Sequence, residues 1–297
     1  MRAAGMRAAS PRPQAETLSR LLGLAFAAAD LLFEVGPDGR ISTMIGAARA
    51  LLGADEAEWR GWHWSALFES QDHMLIRATF EALAELGQRR TVDVRLAARK
   101  DESPRGVRLS VCRLLESSDR ISCAVIPEAQ GLRAAHPARS PLGLMSGEGL
   151  LQAMEGLLGR PEGAPANAQL EFVELGGLEA ELARAGPEAA DAAQARIAGA
   201  LRAASLHGAG AAQVGGDKFA LFRTDDLESG PMLAGLSRAA EQAGLKITAA
   251  VAGLSLDTAH PDASLKALRH ALDRYMVEGP TEAAETFAGT LRRTVEQ

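Results

Sequence analysis

Two cysteines, a single tyrosine and no long apolar run set the first limits on this 297-residue chain. Cys112 and Cys123 lie in separate, apolar, alternating stretches, which argues against a disulfide framework or a cysteine-rich metal site and fits a reducing compartment. Aromatic residues are only 4%, and acidic residues exceed basic ones to leave a net charge of -6. Without a basic stripe or interleaved aromatics, the chain carries no electrostatic footprint for nucleic acid. Near the N-terminus, Arg2, Arg7 and Arg12 precede the apolar run Leu21 to Ala29, which ends in three alanines like a signal-peptide cleavage site. Against that, the run is only nine residues long, Glu16 precedes it, and Leu18, Leu21, Leu22 and Ala25 recur at helical spacing. An amphipathic helix over 14–29, behind a disordered tail, is the expectation. No segment approaches membrane-spanning length, so the sequence predicts a cytoplasmic protein with no membrane insertion.

What is present suits folded domains. Apolar residues make up 47% and charged residues 24%, and the length suits two domains that each bury a core. From Leu31 the sequence reads as strand, turn, strand: LLFEV, then Gly36-Pro37-Asp38-Gly39-Arg40, then Ile41 to Ile45. Asp-Gly between apolar runs is a hairpin signal, because glycine tolerates positive φ. Short helices over Ala47 to Leu52 and Trp64 to Phe68 precede a longer one over Gln71 to Leu86, which places Leu75, Ile76, Thr79, Phe80 and Leu83 on one face and ends at Gly87. Alternating strands follow at Thr91 to Ala97, Gly106 to Leu115 and Arg120 to Ile126, separated by polar turns at Asp101 to Arg105 and Glu116 to Asp119.

This order, with LLFEVGPDGRI and LFESQDHMLIRATFEAL, resembles the PAS family over residues 25–128. The resemblance implies an antiparallel sheet with flanking helices that senses a small molecule or pairs with a partner. It leaves the ligand unknown. Haem-binding members use a histidine on the long helix, where His73 is the only candidate; a polar helix-start residue is the alternative role. Trp59, Trp62 and Trp64 line either an apolar pocket or the core. Residues 129–141 contain Gly131 and Pro137 without an apolar heptad, which predicts a loose linker and two independently folding domains.

Further on, Gly215-Gly216-Asp217-Lys218-Phe219 sits between Val214 and the strand-like Ala220-Leu221-Phe222. Two glycines at a hairpin tip let a backbone approach a phosphate, and the next carboxylate can reach a metal. VGGDKFALF resembles the GGDEF signature of diguanylate cyclases. Upstream, Leu170-Glu171-Phe172-Val173 resembles the family strand whose end binds magnesium, which implies Glu174 and Asp217 as metal positions. In the same register Gly186 falls on the family's glycine and Asp191 on its guanine contact. Lys246 to Leu254 resembles the strand after the signature, and Ser264 to Gly279 the terminal helix. The resemblance implies a βα-rich sandwich around an antiparallel sheet over 142–282, a tail over 283–297, and an α+β protein overall. Magnesium and GTP are the ligands it implies for Gly215, Gly216, Asp217, Asp191 and Glu174. The alternative roles are a hairpin cap for Asp217, a solvated strand end for Glu174 and a helix N-cap for Asp191. No spacing among His207, His260 and His270 defines a metal site.

Cyclisation requires in-line positioning, magnesium and carboxylates. Against that requirement Lys218 replaces the second acidic residue of the signature, Leu182 the guanine-reading asparagine and Met276 a phosphate-binding lysine, while Pro280 stands where an arginine is expected. Pro141-Leu142-Gly143-Leu144 lacks the acidic and threonine residues of the family's opening segment. Leu206 and Ala209 stand where an Arg-x-x-Asp inhibitory motif would bind c-di-GMP. The expectation is a non-catalytic regulator of the c-di-GMP type that binds a protein partner or itself. A weak diguanylate cyclase is one alternative. The other is a GTP-sensing regulator of a separate EAL phosphodiesterase, since a sequence that ends at Gln297 is expected to be too short to carry an EAL domain of its own.

Overall fold

The computed structural model describes residues 23, 25, 28–83, 89–98, 104–113, 119–127, 139–158, 168–224 and 229–295. Most of the expected leading helix, the cap at Gly87, most residues of the two polar turns and residues 129–138 of the linker lie outside them.

Strand β1 (Leu31–Val35) turns at Gly36–Arg40 into β2 (Ile41–Gly46). Gly39 adopts φ 75° in that turn, and the Gly36 N–H donates to the Arg40 carbonyl at 2.8 Å. Alternation then decides the faces: Leu31, Phe33 and Val35 point inward, between half-buried Leu32 and Glu34. Helix α1 (Ala48–Leu52) is followed by α2 (Glu56–Trp59), which the sequence reading missed although Asp55 and Glu58 form a reciprocal capping box at its start. Two 3₁₀ turns, Trp64–Leu67 and Ser70–Asp72, lead into α3 (His73–Glu81). Strands β3 (Arg89–Leu96), β4 (Arg105–Cys112) and β5 (Ile121–Pro127) complete an antiparallel sheet in the order β2-β1-β5-β4-β3. Leu75 and Ile76 pack on this sheet's inner face with Phe33, Leu67 and Leu109. The element order matches the PAS order, and this region is PAS-like.

The second unit runs β6 (Met145–Ser146), α4 (Gly147–Leu158), β7 (Ala168–Gly176), α5 (Leu178–Ala185), α6 (Pro187–Ala204), a 3₁₀ turn at Leu206–Gly208, β8 (Ala211–Gln213), β9 (Lys218–Thr224), α7 (Ser229–Gln242), β10 (Thr248–Ser255) and α8 (Pro261–Glu278). Its sheet has the order β10-β7-β9-β8-β6, antiparallel except for β6 with β8. Central β7 is buried on both faces. Leu170 and Phe172 meet Leu150, Leu268 and Tyr275 on one side, and Val173 and Leu175 meet Ile197, Leu201 and Leu236 on the other.

Two expectations need correction here. Residues 283–295, expected as part of a tail over 283–297, are helical: α9 (Pro280–Val295) buries Ala283, Phe287 and Thr290 at intervals of four and three residues, an amphipathic stripe that packs with α8 and β10. Nor is Asp191 a helix N-cap, because α6 begins at Pro187 behind Gly186 and Asp191 lies inside it, exposed.

The structure packs α3 of the PAS-like unit against α6 of the second unit. Asp72, 1% exposed, accepts from Arg202 Nη2 at 2.9 Å and from the Arg95 backbone N–H at 3.0 Å. Arg202, also buried, donates onward through Nη1 to the Gln71 carbonyl and through Nε to the Gly208 carbonyl. Gly199 lets the helices approach so closely that a Cβ there would lie 2.7 Å from the Met74 carbonyl oxygen. Charges as buried as these are tolerated only when paired, so the contact is geometrically specific.

Candidate functional site

The Gly215-Gly216-Asp217 segment forms the tip between β8 and β9, closed by the Val214 and Gly215 N–H groups, which donate to the Lys218 carbonyl at 2.9 and 3.1 Å. The Leu175 N–H donates to the Asp217 carbonyl at 2.8 Å, which ties the tip to the end of β7. Glu174 pairs in register with Lys218. The structure therefore brings Gly215, Gly216, Asp217 and Glu174 to one end of the sheet. It does not join Asp191 to them: that carboxylate makes no hydrogen bond or ion pair with any described residue.

The Lys218 side chain turns toward the end of α8. Its Nζ donates to the carbonyls of Tyr275 at 2.8 Å and Met276 at 2.9 Å, in the last turn of α8, and lies 5.5 Å from the centre of the Tyr275 ring. A cation there satisfies carbonyls that the helix leaves unpaired and meets the negative end of its dipole. Tyr275 completes the arrangement. Its hydroxyl donates to the Val173 carbonyl at 2.6 Å and accepts from the Phe219 N–H at 3.2 Å, where β7 and β9 meet. Burial pushes the phenol well above its usual range, and the nearby Glu174 and Asp217 carboxylates push it the same way.

Two further carboxylates shape the tip. Glu174 lies beside Gly279, where a Cβ would be 3.3 Å from its Oε2. Glu179, on α5, stands so close over Gly216 that a Cβ there would overlap its carboxylate. Even so, no group of three or more acidic, histidine or cysteine side chains among the described residues is arranged to hold a metal ion.

The positions where the sequence departs from the GGDEF pattern it resembles have structural occupations. Leu182 packs against the cluster around Leu178 and Ile197, Met276 reaches Gly215, and Pro280 opens α9, where its ring suits the first helical position. Leu206 lies in a 3₁₀ turn that Ala209 follows, and Gly143 turns at φ 77° beneath the Arg202 guanidinium. In the PAS-like unit the His73 Nε2 is hydrogen-bonded to the Phe68 carbonyl at 2.9 Å and its ring is edge-on to Trp64. Trp64 is core, Trp59 is half-buried and Trp62 is 57% exposed. Sequence reasoning missed Tyr275, the chain's one tyrosine, and missed the Asp72–Arg202 contact. The small-residue spacing Ala195, Gly199, Ala203 on α6 was the available signal for close helix packing there.

No family model matches this chain, and no curated protein matches it. Among solved structures it is similar to the PAS domain of an HTR-like protein from Haloarcula marismortui (25% identity, 38% of this chain and 93% of that one, TM-score 0.32). A domain of a sensory box sensor histidine kinase/response regulator from Geobacter sulfurreducens is similar at 16% identity, over 39% of this chain and 99% of that one, with TM-score 0.32. The Drosophila melanogaster Cycle PAS-B domain with bound ethylene glycol is similar at 15% identity, over 33% and 98%, with TM-score 0.29.

Proposed function

We propose that the chain is a non-catalytic signalling regulator in which a PAS-like sensor unit is docked on a degenerate GGDEF-type domain of the c-di-GMP class. The observation that carries this reading is the position of Lys218. A cyclase of that family needs an acidic side chain at this point of the signature to help hold magnesium. Here the residue is a cation, and its ammonium is committed to the end of α8. Glu179 adds to the argument, because its carboxylate occupies the approach to the Gly216 backbone that a phosphate would need. Two like charges 4 Å apart cost about 4 kcal/mol at an effective dielectric near 20, enough to disfavour a phosphate beside Glu179.

In this reading the sensor unit acts on the second domain through the α3–α6 contact, and the second domain offers a surface to a protein partner or a second copy. The test is incubation of the purified chain with GTP and magnesium or manganese, with the products separated by chromatography. No c-di-GMP above a protein-free blank is expected. Steady, dose-dependent synthesis overturns the reading and makes the chain a diguanylate cyclase.

A further inference from the structure

The chain is acidic overall, yet one cleft reverses the sign. Between the two units lies a cavity of about 810 Å³ lined by Arg77, Arg89, Arg90, Arg196, Arg223 and Arg238, with Glu81 as its one carboxylate among the described residues. The first three arginines come from α3 and β3 of the PAS-like unit, and the other three from α6, β9 and α7 of the second. Several are committed. Arg223 is buried and paired with Glu171 at 2.5 Å, the Arg89 Nε donates to the Ser110 hydroxyl at 2.7 Å, and the Arg196 Nη1 donates to the Gln242 carbonyl at 3.0 Å. Arg77 and Arg238, both exposed and on opposite walls, have no hydrogen-bond or ion-pair partner among the described residues. Between the arginines the lining is small and apolar, as at Ala78 and Ala203.

Guanidinium groups held around one cavity repel one another, and an anion placed among them removes that cost. Their planar forks match phosphate oxygens two at a time, and their faces stack on flat rings. The volume lies in the range of small-molecule sites, roughly 300–1,000 Å³, and a crevice between domains is a common place for one. We propose that this cleft binds a phosphorylated small molecule of nucleotide size, which grips both units at once. The site is separate from the Gly215-Gly216-Asp217 tip. Because Arg77 comes from the PAS-like unit and Arg238 from the second, a ligand that bridges them strengthens the packing of one unit on the other.

The test is calorimetric titration of the full chain at low ionic strength with ATP, GTP, c-di-GMP and inorganic pyrophosphate, with adenosine and guanosine as phosphate-free comparisons. At least one phosphorylated probe is expected to bind saturably at one site per chain, and the nucleosides are not. The double variant Arg77→Ala, Arg238→Ala, which alters only exposed side chains, should weaken binding about tenfold or more, the loss of roughly 1.4 kcal/mol or more. Asp191→Ala and Asp217→Ala, at the sequence-predicted nucleotide positions, should leave it unchanged. Binding that survives the double arginine variant, or is lost in the Asp191 or Asp217 variants, overturns the proposal. Equal binding of nucleosides does the same. If no probe binds, the proposal falls.

Discussion

Lys218 holds the last carbonyls of α8 at 2.8 and 2.9 Å, so Lys218→Glu has two consequences. In the proposed reading it restores the acidic residue of a GGDEF signature, and it sets a carboxylate against the negative end of a helix. The second effect dominates stability: the loss of two charge-assisted hydrogen bonds and an unfavourable dipole contact should cost about 1–3 kcal/mol in urea unfolding. Tyr275→Phe should cost a similar amount, about 1–3 kcal/mol, because the Val173 carbonyl and the Phe219 N–H lose their shared buried partner. This contribution is also pH-dependent. The folded pKa of Tyr275 is raised above the ordinary value of 10.0, so its stabilisation is complete below about pH 10 and is lost as pH rises through the folded value. The gap between wild type and Tyr275→Phe should therefore stay constant up to about pH 10 and narrow as the pH rises above it; a gap that stays constant above pH 10 would show that the hydroxyl is not held as described.

At the scale of elements, two glycines on helices predict opposite outcomes. Intrinsic propensity favours Gly→Ala by about 0.8–1.0 kcal/mol in a helix interior. At Gly156 on α4 nothing lies within 4 Å of the added Cβ, so Gly156→Ala should stabilise by up to that amount. At Gly199 on α6 the Cβ meets the Met74 backbone, which cannot swing aside, and overpacking should win by about 1–3 kcal/mol of net destabilisation. Thermal unfolding of both variants checks the pair, and a stabilised Gly199→Ala would mean that α3 and α6 are not in close contact. The same contrast explains what the sequence made legible. Alternation in β1 and the Asp38-Gly39 turn act locally, so the PAS-like order was readable, as was the β8–β9 tip around Gly215 and Gly216. Helix α9 was missed because Gly279-Pro280 reads as a stop, although a proline at the first helical position also opens a helix, and Ala283, Phe287 and Thr290 repeat at helical spacing. The destination of Lys218 depends on carbonyls 57 and 58 residues away, and the Asp72–Arg202 pair spans 130 residues. No local pattern encodes either.

For the whole molecule, the α3–α6 contact and its buried ion pair mean that covalent continuity between the units is not what holds them together. If a protease cuts within residues 128–138, the two fragments should still co-elute in size-exclusion chromatography. With Asp72→Ala they should separate, because an unpaired buried Arg202 costs about 3–5 kcal/mol. Fragments of the wild-type chain that part on cutting would refute the docked arrangement. In the proposed reading, information passes from sensor to second domain by contact, and the commitment of Lys218 to α8 leaves a GGDEF-type signature with no acidic pair for chemistry. The most direct measurement is c-di-GMP synthesis from GTP and magnesium by the wild-type chain and Lys218→Glu side by side. The account predicts no product above blank from either, since Leu182, Met276 and Glu179 still oppose base and phosphate binding in the variant. Sustained synthesis by the wild-type chain would contradict it.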